Sequence, residues 1–173
     1  MPLTEMFRRP KSCKDMEVRE SRLLPPKGYD AITFFGLVLM RKPQYEEWSR
    51  NATSKQYRQL CSHEMIHQRQ AVSLHNSWLC YYVRYAYYYL RNRPLRYGHM
   101  FAYLANPFEM EAYLFEADTS YASKSQDGTD NWRKLASYPP ACWHALMSAK
   151  GLTTKAEQAD FFARVAAFMK NKW

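Results

Sequence analysis

The chain has 173 residues, with 25 Lys and Arg against 16 Asp and Glu, a formal charge of +9, and hydrophobic and aromatic fractions of 47% and 16%. A chain of this size buries a core without staples, and so apolar a composition excludes a disordered tail. Cys13, Cys61, Cys80 and Cys142 are scattered with no C-x-x-C pair, which excludes a zinc knuckle and a redox dithiol and predicts free thiols.

Residues 1–30 read as a basic irregular arm, with Arg8, Arg9, Lys11, Lys14, Arg19 and Arg22 interleaved with acids and Pro25-Pro26-Lys27-Gly28 closing it. The arm holds no apolar run of signal-peptide type, so a cytoplasmic protein is expected. Residues 31–173 are expected to form a single domain. Ala31 to Met40, rich in β-branched and aromatic residues, predicts one strand, closed by Arg41-Lys42-Pro43. Gln44 to Trp48 fits either a short strand or a helical turn.

From Thr53 the spacing turns helical: Tyr57, Leu60, Glu64, His67, Ala71, Leu74 and Trp78 recur at three and four, with Thr53 or Ser54 as cap. Asn76-Ser77 is a joint, and Trp78 to Leu90 predicts a second helix that carries six of the 14 Tyr. It falls short of the roughly 20 apolar residues that span a bilayer. Asn106-Pro107 starts a third helix running through Glu109 and Glu111 towards Tyr121. Ser123 to Asn131 reads as a polar surface loop. Pro139-Pro140 opens a short helix ending before Gly151, and Thr154-x-x-Glu157 is a capping box for the last helix. The expected fold is mainly α, of α+β type, with one short sheet whose edge strand lies near 31–40 and about five helices.

His63-Glu64-Met65-Ile66-His67 is H-E-x-x-H, inside a segment read as helical on other grounds. Residues four apart share a helix face, so both imidazoles can grip one metal ion while Glu64 reaches a water bound to it. Zinc suits two imidazoles and a carboxylate with one position open, and such a site hydrolyses amides with Glu64 as the base. A metzincin would need Gly at Gln70 and His at Ser73, so that type is excluded. The third ligand then comes from Asn106-Pro107-Phe108-Glu109-Met110-Glu111-Ala112-Tyr113 or from His99. On a helix Glu109 and Glu111 lie about 200° apart, so only one of the two can face the ion.

The pairing of H-E-M-I-H with a downstream N-P-F-E-x-E-A-Y resembles the gluzincin type of zinc metallopeptidase, and in particular small bacterial and phage proteins of zincin-like fold. The resemblance spans about 31–118. It implies a minimal zincin-like fold and a zinc-dependent peptidase. It also implies Glu109 as third ligand in preference to Glu111 and His99. Tyr113 stands where that pattern carries an Asp or Asn orienting a ligand His, a departure that puts the support of His63 or His67 in question.

The Tyr- and Arg-rich segment 81–97 predicts cover for the helix under the site or a protein partner surface, with nucleic acid as a weaker alternative. Arg69 and Gln70 read as helix-surface residues. The leading expectation is zinc-dependent peptide hydrolysis, His63, His67 and Glu109 holding zinc and Glu64 acting as base. The alternatives are a basic assembly protein, such as a component of a larger particle or virion, that keeps a zinc site, and a nucleic-acid-associated protease.

Overall fold

The stretch expected as one strand is interrupted by Gly36, and the interruption is a turn. In the computed structural model, which describes residues 15–124, 127–148, 151–170 and 172–173, it folds as a hairpin of β2 (Ile32–Phe34) and β3 (Leu37–Met40). Phe35 and Gly36 both take positive φ, 49° and 85°, as the two-residue hairpin turn that matches strand twist requires. β1 (Glu17–Glu20) pairs parallel with β3 in the order β1-β3-β2, so β3 is central and β2 lies at one end of the sheet. The expected edge strand over 31–40 is thus corrected to one central and one outer strand. The arm is corrected too: Glu17–Glu20 is ordered sheet, and residues 1–14 lie outside the described residues.

The fold is mainly helical with this one small sheet. Among the described residues five helices have nine residues or more: α1 (Lys42–Asn51), α2 (Lys55–Ser73), α3 (Trp78–Arg91), α6 (Pro107–Phe115) and α9 (Lys155–Met169). Short helices α4 (Pro94–Tyr97), α5 (His99–Leu104), α7 (Trp132–Ala136) and α8 (Pro140–Leu146) join them. The ambiguous 44–48 stretch is helix, because Pro43 fits the first turn of α1. Ser54 caps α2 by accepting from Tyr57 N–H, and Thr154 and Glu157 cap α9 reciprocally. The helix opened by Pro140 ends at Leu146, short of its expected end, and α6 gives way at Phe115 to a 3-10 turn, Tyr121–Ser123.

The chain divides into two compact units. One comprises Met1–Trp78 with Phe115–Thr129, the other Leu79–Leu114 with Asp130–Trp173. In the first, the sheet lies against α2, and Arg41 ties the preceding loop to the strand end by donating to the carbonyls of Pro25, Arg22 and Leu23. Its loop 127–129, expected at the surface, is bound to α2. Thr129 N–H donates to the Arg69 carbonyl, and a Cβ on Gly128 would lie 2.3 Å from that oxygen and 2.6 Å from Ser73 N. Glycine is required there by close approach as well as by its φ of 96°. In the second unit Phe101, Leu104, Met110, Leu135, Trp143, Phe161, Val165 and Met169 form the core. Phe108 there packs among Tyr81, Tyr85, Tyr88 and Trp132.

Cys61, Cys80 and Cys142 are thiols rather than disulfides. Among the described residues no helix is long and apolar enough to cross a membrane.

Candidate metal centre

Helix α2 is buried on every side from Cys61 to Ala71, although most of these residues are polar. Burying a polar group costs free energy unless it is hydrogen-bonded, so each one calls for a partner. His63 Nδ1 donates to Glu116 Oε2 at 2.8 Å and His67 Nδ1 to Gln70 Oε1 at 2.9 Å. With Nδ1 engaged on both rings, Nε2 is the nitrogen each can offer a metal. The rings stand edge to face with centroids 4.8 Å apart.

His63, His67 and Glu109 form a buried group that could hold a metal ion: they are 6, 5 and 4% exposed, and their ligand atoms lie within 4.8 Å of one another. Glu111, two residues on, is directed elsewhere. Its Oε1 accepts the Asn131 N–H at the start of α7, at 2.9 Å. The phase of α6 therefore separates a carboxylate in the group from one that anchors a loop. His99, the remaining candidate, is exposed and bonds the Tyr89 hydroxyl at 2.6 Å, outside the group. His144 stacks on Tyr97, and His75 sits past the end of α2 at a φ of 59°.

The Glu109 carboxylate is held by phenols. Tyr85 OH donates to Oε1 at 2.8 Å, and Tyr103 hydrogen-bonds the same carboxylate. Burial, and then the charge of Glu109, raise the Tyr103 hydroxyl well above its ordinary value of 10, so it remains a donor at neutral pH. Glu64 is also buried, and its Oε2 accepts from Thr33 Oγ1 of β2 at 2.6 Å.

The sequence alone assigns none of Glu116, Gln70, Thr33, Tyr85 and Tyr103 the positioning role that it has here. The place reserved for Tyr113 is filled differently. Tyr113 stacks on Phe162, while Glu116 and Gln70 hold the two histidines. Gln70, expected at the surface, is fully buried, and Arg69 is buried as well. Two signals were readable. Gln70 is three residues beyond His67 and so shares its helix side, and Glu116 follows Glu109 by seven, nearly two whole turns.

No protein-family model, curated protein or solved structure matches this chain.

Proposed function

We propose that the chain is a zinc-dependent peptidase in which His63, His67 and Glu109 hold the ion and Glu64 carries the proton. The observation that supports this most is the buried His63, His67 and Glu109 group beside a buried Glu64 on the same helix as both histidines. Two imidazoles and one carboxylate are the donor set zinc takes in hydrolytic sites, with a fourth position open. Bound there, zinc supplies Lewis acidity to a substrate carbonyl and acidifies water near neutral pH.

The chain's own groups do the rest. Glu64 takes a proton from the attacking water and passes it to the departing amine, which balances the proton account of amide cleavage. Thr33 aims that carboxylate by donating to Oε2. Glu116 and Gln70 fix the two imidazoles, and Tyr85 with Tyr103 fixes Glu109. Strand β2 is at the end of the sheet and carries Thr33, so its backbone is suited to hold an extended peptide by strand addition near Glu64.

Metal analysis and peptide cleavage on the wild type beside Glu64→Gln test this reading. Stoichiometric zinc in both and cleavage in the wild type alone is the expected result. Wild-type protein that takes up no zinc would remove the site, and equal cleavage by the two proteins would remove the mechanism.

A further inference from the structure

Of the eight large hydrophobic residues most exposed among those described, five lie between Leu79 and Leu95: Leu79, Val83, Tyr87 and Leu90 are 73, 61, 59 and 66% exposed, and Leu95 is fully so. On α3, at about 100° per residue, Leu79, Val83 and Leu90 fall within a stripe about 40° wide, with Tyr87 at its border. The opposite side carries Tyr81, Tyr85 and Tyr88, which pack on Phe108. Helix α3 is therefore apolar on two sides, and only one of them belongs to the core. A contiguous exposed apolar stripe of this kind marks an interaction surface.

Its charge indicates the partner. From Met65 to Phe108 the chain has no Asp or Glu and five Arg: Arg69, Arg84, Arg91, Arg93 and Arg96. Arg91 is used internally, donating to the carbonyls of Ala136 and Tyr138, and Arg84 lies over Trp132. Arg93 and Arg96 are exposed on either side of Pro94-Leu95, next to the end of the stripe. A second copy packed in parallel along α3 would bring these cations against themselves, and one packed antiparallel would set them against a stretch that carries no acid. A nucleic acid would satisfy the cations yet offer nothing to Leu79, Val83, Leu90 and Leu95. Aliphatic side chains flanked by Tyr and then Arg follow the layering of a membrane boundary, acyl chain, interfacial zone and phosphate.

We propose that the outer face of α3 and the Pro94–Tyr97 turn form a docking surface for an anionic lipid bilayer, with Leu79, Val83, Leu90 and Leu95 entering the acyl boundary and Arg93 and Arg96 pairing with headgroup phosphates. The helix lies in the interface and does not span it. This surface is independent of the metal reading.

Co-sedimentation of the full chain with vesicles of phosphatidylcholine alone, and of phosphatidylcholine mixed with phosphatidylserine, tests it. Binding to the mixed vesicles should exceed binding to the neutral ones by about tenfold or more and weaken with salt. Leu90→Glu with Leu95→Glu should abolish it at least tenfold, with an unchanged melting curve because both positions are exposed. Arg93→Gln with Arg96→Gln should cut binding to the mixed vesicles only. No binding to mixed vesicles overturns the proposal, as does binding unaffected by the Leu pair. A dimer in light scattering that the Leu pair dissolves, duplex DNA binding with vesicles ignored, or a protein complex lost in the same variants without vesicle binding would each overturn it and assign the face to that partner.

Discussion

Helices α2 and α3 break the same rule in opposite directions. From Cys61 to Ala71, α2 buries His63, Glu64, His67, Gln68, Arg69 and Gln70, whereas α3 turns Leu79, Val83 and Leu90 outward. Hydrophobic burial alone would favour reversing both. A buried polar group costs free energy unless partnered, and an exposed aliphatic side chain forgoes about 1.5–3 kcal/mol of burial. The two helices therefore meet different demands. The polar side chains of α2 find partners within the chain, at Glu116, Gln70 and Thr33, whereas the outer face of α3 is turned to solvent.

Removing a side chain from the buried group should have the largest effect. His63→Ala, His67→Ala and Glu109→Ala should each lose bound metal entirely after dialysis, while Glu111→Ala keeps it, as read by metal analysis. Retention of metal in Glu109→Ala with loss in Glu111→Ala would reverse the phase assigned to α6. Next comes Gly128→Ala, which drives a Cβ into the backbone of α2 and should destabilise by about 3 kcal/mol or more in denaturant melts. Glu111→Ala, which removes the acceptor of Asn131 N–H, should cost about 1–3 kcal/mol. Gln70→Ala releases the His67 ring and should weaken metal affinity about 10–100-fold in chelator competition, with the fold intact. Val83→Lys, on the outer face of α3, should change stability by no more than about 0.5 kcal/mol. A larger loss would mean that this face is covered and that the contrast between the helices is smaller than described.

Much of the fold is legible in the residues because local signals and tertiary packing agree. The Ser54 cap, the Thr154 and Glu157 box, Pro107 and the three-and-four spacing of α2 each mark an element where it lies. The hairpin is hidden where they conflict: Phe35 at positive φ is unusual for an aromatic residue, and only Gly36 signals a turn. β1 is not legible because Glu-Val-Arg-Glu carries three charges in four residues and pairs in parallel with a strand reached through a long loop. At the site, the two histidines follow from the H-E-x-x-H motif, whereas helix phase says only that one of Glu109 and Glu111 faces them, and the choice of Glu109 comes from the resemblance. For Gln70 and Arg69 polarity predicts exposure, and α2 is the helix on which that inference fails. Glu116 and Thr33 come from other elements, and no spacing rule links Thr33 to Glu64 across 31 residues.

The close approach of Gly128 to α2 also bears on how kin of this chain could be recognised. Glu116, the carboxylate on His63, and Gly128, against the backbone of Arg69 and Ser73, tie two points of one connection to the same helix. A fingerprint drawn from these contacts would join Thr33, H-E-x-x-H-x-x-Q, E-x-E-x4-E and the D-G-T of 127–129, with variable gaps between them. Such a pattern ranks chains by shared contacts rather than by overall similarity, and it would discard proteins that carry H-E-x-x-H on a helix by chance.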